Sequence, residues 1–439
     1  MLCVVCCVLI APFHMHEFKV RHGQLYCEQV PVDRLAEAFG TPLYIYSYQT
    51  VVDHFDKLKR AFRRLSPLIC FSMKANNNLS ILRLLVQRGA GLDIVSGGEL
   101  SKALRAGCPP HRIVFASVGK RPEEIREALR VGIFCLNVES LPELEAINAH
   151  ARLAKRVAPV ALRINPDVKA ATHHYITTGT AESKFGIELE VAERLVRERW
   201  RAFSSTRLLG FHLHIGSQIT EAAPFVRAIE RVGALIKRLR SSGIVIAWLN
   251  LGGGLGIVYK DERPQTAKAF ARVVIPLLQP LGVKLILEPG RFIVGNAGIL
   301  VTQVLYRKET RGKRFLVVDA GMNDLIRPAL YGAYHEVVPV QNHRLLAPGS
   351  RLQVYDVVGP VCESADVLAR DRRLPPLEPG ERLAVLGAGA YGFAMASNYN
   401  GRPRPAEVLV RGGRYVLVRR RETPRDLMRH DVIPQHFFS

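Results

Sequence analysis

Residues 68–107 read LICFSMKANNNLSILRLLVQRGAGLDIVSGGELSKALRAG. Two short apolar runs, 68–73 and 92–95, are each followed by a segment with apolar side chains at three- and four-residue spacing, 79–88 and 98–106. A brief continuous apolar run marks a strand buried on both faces, and the helical period marks the helix that covers it. The stretch therefore predicts strand–helix–strand–helix with parallel strands.

Toward the C-terminus the rhythm continues. Strands are expected at 113–116, 133–138, 157–164, 208–215, 245–251 and 283–287, with helices at 122–131, 141–154, 191–199, 222–241 and 266–278. Eight strands with intervening helices over about 250 residues suit a (β/α)8 barrel, and an open doubly wound sheet is the other architecture that accepts them. After Gly298 the alternation stops, and 299–306, 314–318, 351–358, 383–386 and 414–419 read as strands without helices between them. We expect an α/β protein: a barrel over 49–298 and an all-β domain over 299–439 that also takes in strands from 15–48. Residues 1–14 are expected to be an apolar leader outside the fold. It lacks the basic start and small-residue cleavage site of a signal peptide, and Met15 would serve equally well as a first residue.

Composition narrows the function classes. With 439 residues, 48% hydrophobic and 23% charged, the chain has room for two or three domains with their own cores. No apolar run reaches the ~20 residues of a membrane span, so no membrane partner is expected. Eight irregularly spaced cysteines read as reduced thiols, which points to the cytoplasm. Cys3-x-x-Cys6 has no second ligand pair nearby, and no metal is expected. The net charge of +22 invites a nucleic-acid reading. Its arginines are nevertheless interleaved with acids, as in Glu123-Glu124-Ile125-Arg126-Glu127, and the only compact basic run is Arg419-Arg420-Arg421. No nucleic-acid-binding signature accompanies it, so no specific nucleic acid is expected as partner. A positive field does favour phosphate and carboxylate ligands.

A barrel places its active site past the C-terminal strand ends, with phosphate loops after strands seven and eight. Lys74 ends the first expected strand, and His212 and His214 end the sixth. Gly252-Gly253-Gly254-Leu255-Gly256 follows the seventh and Glu288-Pro289-Gly290-Arg291 the eighth. Glycines let backbone N–H groups approach a phosphate, and Arg291 offers a cationic fork to the same dianion. A lysine with a lowered pKa can bond covalently to an aldehyde. A glutamate can hold a pyridinium proton, and an imidazole can stack on the ring. These are the requirements of pyridoxal 5′-phosphate. Singly, each signal is weak. A lysine after a strand is usually a surface residue, a glycine triplet is usually a turn, and His212 and His214 can be satisfied core histidines. The reading rests on all four falling at one end of the barrel. Gly387-Ala388-Gly389-Ala390-Tyr391-Gly392 spells G-x-G-x-x-G, but Gly and Pro breakers follow where a dinucleotide fold needs a helix.

Several motifs occur in order: Ser72-Met73-Lys74-Ala75-Asn76, the run from Gly91 to Leu100, Arg163-Ile164-Asn165-Pro166-Asp167, Ser183-Lys184-Phe185-Gly186 and His212-Leu213-His214-Ile215-Gly216-Ser217. Glu288-Pro289-Gly290-Arg291, Arg327-Pro328-Ala329-Leu330-Tyr331, Gly359-Pro360-Val361-Cys362-Glu363-Ser364 and Gly389-Ala390-Tyr391-Gly392 follow. From about Glu17 to the C-terminus the chain resembles the diaminopimelate decarboxylases, within the alanine-racemase-like class of pyridoxal-phosphate enzymes. Asn250 is a departure, standing where the family usually has Asp or another residue.

The resemblance implies roles. Lys74 would carry the cofactor, His214 would stack on its ring and Glu288 would face its ring nitrogen. Ser217, Gly254, Pro289, Gly290, Arg291 and Tyr391 would complete its binding. Arg291, Arg327, Tyr331, Glu363 and Tyr391 would hold meso-2,6-diaminopimelate, and Cys362 would return a proton to the carbon that loses CO2, giving L-lysine. A homodimer with shared active sites would supply Cys362 and Glu363 from the second copy. Ornithine or arginine decarboxylases of the same fold remain alternatives, although their substrates lack the distal carboxylate that Arg327 and Tyr331 would bind. A racemase is disfavoured by Glu288, and a non-catalytic cofactor-binding relative by the presence of both Lys74 and Cys362.

Overall fold

The computed structural model describes residues 14–168, 184–341 and 352–438. The chain divides into two compact units, Val52–Gly295 and Met1–Val51 together with Asn296–Ser439. Of the expected leader, residues 1–13 lie outside the described residues, while His14 already pairs with Lys19 across an antiparallel hairpin.

In the first unit eight parallel strands run Leu68–Ser72, Gly91–Ile94, Ile113–Phe115, Cys135–Val138, Ala158–Asn165, Thr206–His212, Trp248–Asn250 and Lys284–Leu287. The last pairs with the first through Ile286↔Leu68 and Leu287↔Ile69, so the sheet closes into a barrel rather than ending in two edges. The seventh strand is much shorter than the apolar run 245–251 that announced it. The fifth helix begins earlier than expected, at Leu189, and its last turn over Leu195–Arg199 widens into a π-helix. Side-chain caps start several barrel helices: Asn78 accepts from the Ser80 N–H, Ser96 from Glu99, Ser140 from Glu143 and Thr266 from Ala269. Each cap sets the turn by which a strand's C-terminal end becomes a helix.

One buried cluster joins Cys70, Val114, Cys135, Ala161 and Ile286, with Leu68, Phe134, Leu209 and Trp248 against it. Leu68 and Trp248 are the first residues of their strands, so apolar side chains fill the N-terminal part of the barrel. Ser72, His212 and Asn250 are the last residues of theirs, which leaves the polar groups to the other end. The helix Tyr48–Ala61, ahead of the first barrel strand, was not anticipated. Val51, Val52, Phe55 and Leu58 give it a buried stripe of ordinary helical spacing.

In the second unit the strand Leu43–Ser47 lies between Gly298–Thr310, antiparallel to it, and Ala406–Arg411, parallel to it. All five of its residues are buried, and Leu43 and Ile45 join Phe18, Leu25, Ile299, Val301 and Val408 in one core. One N-terminal strand thus lies inside this sheet, while the strands between His14 and Pro31 form a separate four-stranded sheet. Val367–Leu374 and Ala406–Arg411 are additional strands. Within the basic run, Arg419 pairs with Glu407 at 2.5 Å, and Arg421 donates to the carbonyls of Phe39 and Pro42. These two arginines serve the fold. Among the described residues no helix is long and apolar enough to cross a membrane.

Candidate active site

Glu288 follows the eighth barrel strand and is 4% exposed. Its Oε1 accepts from Asn250 Nδ2 at 2.5 Å and from Asn137 Nδ2 at 3.2 Å, and its Oε2 accepts from His212 Nε2 at 3.1 Å. Burial alone would push this carboxyl up. The charge and hydrogen bond of His212, the Lys74 ammonium and the Asn250 amide outweigh burial and hold it at about 2. Asn250 Oδ1 accepts the Gly252 N–H at 2.8 Å, which fixes its amide group toward Glu288. An aspartate there could not donate this bond.

Lys74 sits in the 3₁₀ turn Met73–Ala75 directly after the first strand, with its side chain 37% exposed. Its Nζ lies 3.6 Å from Asp93 Oδ2, which also accepts from Ser72 Oγ at 2.6 Å. Asp93 is fully buried, and no partner for its Oδ1 is found among the described residues. Burial first, then the Glu288 charge, raise its carboxyl to about 6 against the pull of Lys74 and Ser72. Two buried carboxylates near one lysine are therefore displaced in opposite directions.

His214 lies two residues past the sixth strand, and its Nδ1 accepts from the Gly253 N–H at 3.3 Å. Burial, followed by the charges of Lys74, Arg163 and His212, pushes its pKa well down, so the ring is a neutral imidazole. The glycine loop differs in detail from the sequence-based reading. A Cβ at Gly252 would meet the Leu213 carbonyl at 2.3 Å, and one at Gly253 the Glu288 carbonyl at 2.3 Å. These glycines let three strand ends pack together, and their N–H groups bond to Asn250 and His214. Gly254 has φ +106°, and no partner for its N–H is found among the described residues, so it can face a phosphate.

Beside it, Arg291 donates from Nη2 to Ser217 Oγ at 3.0 Å and from Nη1 to the Tyr259 hydroxyl at 2.6 Å. Gly290 lies so near the first strand end that a Cβ would meet Ala75 Cβ at 2.9 Å, and the Ser72 N–H donates to Pro289 O at 3.0 Å. Arg163 pairs with Glu139 at 2.7 Å and lies over the Phe185 ring, while Glu139 accepts the Gly186 N–H at 3.1 Å. Of the Ser183–Gly186 motif, Ser183 is outside the described residues.

The remaining candidates belong to the other unit. Arg327 and Tyr331 open and close the one-turn helix Arg327–Tyr331, and Arg327 is buried. Cys362 and Glu363 are exposed on a turn. Asp366 holds that turn, accepting the N–H of Val361 at 2.7 Å and of Met322 at 2.6 Å, and Asn400 Oδ1 accepts the Cys362 N–H at 2.9 Å. Tyr391 has φ +57° in the turn after Arg382–Val385, and the 3₁₀ turn Phe393–Met395 follows where a dinucleotide site would need a long helix.

Asp93, Asn137 and Tyr259 were missed as functional residues, as was the bond from Asn250 to Glu288. Asp93 lies inside a quoted motif, but it reaches Lys74 through the pairing of the first two barrel strands, in which Ser72 stands opposite Asp93. The fit to pyridoxal phosphate rests on three features of the barrel end. A buried anionic carboxylate can accept from a protonated ring nitrogen, a lysine stands beside it, and Arg291, Ser217, Tyr259 and the Gly254 N–H suit a phosphate dianion.

Comparison with known proteins agrees. The family described as "Pyridoxal-dependent decarboxylase, pyridoxal binding domain" matches residues 48–295. The diaminopimelate decarboxylase of Neisseria meningitidis serogroup B is 47% identical over 409 residues, 93% of this chain and 97% of that protein. The structure of the Helicobacter pylori diaminopimelate decarboxylase complexed with L-lysine superposes with a TM-score of 0.85 at 41% identity, covering 90% of this chain and 98% of that one. A lysine/ornithine decarboxylase from Vibrio vulnificus, complexed with putrescine, shares the fold at a TM-score of 0.76 and 24% identity, covering 87% of this chain and 97% of that one. The chain belongs to the diaminopimelate decarboxylase family of pyridoxal-phosphate-dependent decarboxylases, and its cofactor is pyridoxal 5′-phosphate.

Proposed function

We infer that this protein removes CO2 from meso-2,6-diaminopimelate to form L-lysine. The observation that carries the reading is the buried Glu288 carboxylate, kept anionic by His212, Lys74 and Asn250 at the C-terminal end of the barrel. When bound, pyridoxal phosphate supplies an electron sink for the bond pair released as the carboxylate departs. Glu288 supports that sink by holding a proton on the ring nitrogen. An arginine in its place would compete with that proton. His214, neutral and packed on the glycine loop, can lie on the ring face without adding charge. Ser217, Gly254, Gly290, Arg291 and Tyr259 would hold the phosphate. Lys74 has to shed a proton before it can bond to the cofactor, and Asp93, with its carboxyl raised toward neutrality, can take that proton at Oδ2.

Cys362 would deliver the proton to the substrate carbon from Sγ, while Arg327, Tyr331, Glu363 and Tyr391 would bind the end of the substrate that does not react. We assign Cys362 and Glu363 to the site of a second copy in an isologous homodimer. Their exposure on a braced turn supports this reading. A reduced thiol in this role suits the cytoplasm, where we place the protein.

CO2 release from meso-diaminopimelate, with ornithine and arginine as controls, tests the reading. Turnover confined to diaminopimelate is expected. Preferential turnover of ornithine or arginine would overturn the substrate assignment, and no turnover with any of them would overturn the assignment as an enzyme.

A further inference from the structure

Arg327 does not stand alone in its unit. Its Nη1 donates to His335 Nε2 at 2.8 Å, and His335 Nδ1 lies 2.8 Å from the Leu386 carbonyl. His335 is fully buried and Arg327 is 6% exposed. A carbonyl only accepts, so Nδ1 carries the imidazole proton and Nε2 presents a lone pair. A guanidinium only donates and therefore requires that lone pair. Both bonds are satisfied by one state of the ring, the neutral Nδ1–H tautomer.

The backbone sets this geometry up. Gly332, left-handed at φ +59°, ends the Arg327–Tyr331 helix and turns the chain back so that His335 meets Arg327. Val337–Pro339 then pairs with Arg382–Val385, and the Leu386 N–H donates to Glu336 O at 2.8 Å. The histidine is thus anchored to the strand that leads into the Tyr391 turn. Arg372 reaches the same segment, donating to the His335 carbonyl at 3.2 Å.

We propose that His335 is a specificity-positioning residue: it orients the Arg327 guanidinium for the distal carboxylate of the substrate. A neutral imidazole takes one N–H and adds no negative charge. The inference rests on the reading of Arg327 as the residue that binds the distal carboxylate.

The test compares two ligands of the pyridoxal-phosphate-loaded protein. L-lysine keeps the distal carboxylate, and 1,5-diaminopentane lacks it. Both are titrated by calorimetry into the parent, His335→Phe, His335→Asn and Arg327→Ala. Phe keeps the ring shape without either hydrogen bond, and Asn is too short to bridge both partners. The expected result is that each His335 variant binds L-lysine at least about tenfold more weakly, the effect of one hydrogen bond to a charged group, with 1,5-diaminopentane affinity nearly unchanged. KM for meso-diaminopimelate should rise by a similar factor while kcat changes less. A role confined to packing would not separate the two ligands. If a folded His335 variant keeps parental L-lysine affinity while Arg327→Ala loses it, the proposal fails and the Arg327 reading stands. If Arg327→Ala also keeps it, both fall. Should His335→Phe not fold, His335→Asn decides by the same criterion.

Discussion

Glu288 in the barrel unit and Cys362 in the unit built from both chain ends are held in contrasting ways. Glu288 is buried and takes hydrogen bonds from three side chains on other strand ends, which set its charge before any ligand arrives. Cys362 is exposed, and the bond found for it is made by its backbone N–H to Asn400. A group that must keep one charge is buried among side chains that dictate its protonation. Cys362, for which we propose a role as proton donor, is displayed on a turn fixed from behind by Asp366. Arg327 is intermediate, a buried charge aimed by a neutral ring.

The barrel half of this contrast breaks most completely at Lys74. Lys74→Ala should lower turnover by at least about 10³-fold, because the covalent route is lost. Borohydride should trap the cofactor on Lys74 in the parent, and peptide mass spectrometry that finds it on another lysine would refute the assignment.

In the other unit, Cys362→Ala should cost about 10²–10⁴-fold in kcat, the range for a positioned acid, while pyridoxal-phosphate content stays at the parental level. Lys74→Ala and Cys362→Ala proteins allowed to exchange subunits sharpen the comparison. Half of randomly formed dimers are mixed and each holds one intact site, so activity should recover toward about a quarter of the parent. No recovery after exchange verified by mass spectrometry would show that each Cys362 serves its own chain.

Arg327→Ala should reduce kcat/KM for meso-diaminopimelate by about 2–5 kcal/mol, the loss of a desolvated carboxylate contact, again without loss of cofactor. Within the barrel, Glu288→Gln keeps the shape and removes the charge. Steady-state assays should show kcat lower by about 10²-fold, since the pyridinium proton loses its anionic partner.

The smallest effect concerns the opposed carboxylates. The folded state raises the Asp93 carboxyl from 3.8 to about 6, so folding holds that proton more tightly than the unfolded chain does. Its contribution to stability is therefore most favourable below the unfolded value and declines as pH rises through about 6. Asp93→Asn should stabilise the cofactor-free protein relative to the parent at pH 8, by on the order of 1–3 kcal/mol, and the difference should shrink at pH 5. Thermal unfolding at both pH values measures this. Glu288 has the opposite sign. Its carboxyl is lowered, so its contribution is present above the usual carboxylate range and is lost as pH falls toward about 2.

Much of the barrel could be read from local pattern, because a strand buried on both faces and its covering helix each write a short period into the chain. The positions of Lys74, His214, Glu288 and Arg291 followed as well, since each closely follows a strand whose end the pattern marks. Val367–Leu374 was not legible, because arginines and an aspartate interrupt its apolar residues and only pairing with Gln353–Val358 makes it a strand. Arg327 and Tyr331 were found, but the one-turn helix that carries them is too short to write a period.

By itself, then, the sequence determined the alternation, the strand ends and the residue types that gather there, since these depend on neighbours within a turn or two of the chain. Only the tertiary structure decided that Asn137, His212 and Asn250 converge on Glu288, that Asp93 meets Lys74, and that His335 faces Arg327. Asn137 and Glu288 are separated by 151 positions. No local period links residues so far apart, and closure of the sheet brings their strand ends together. The opposite charge preferences of Asp93 and Glu288 also arise there, because burial and neighbouring charges exist only once the barrel has formed.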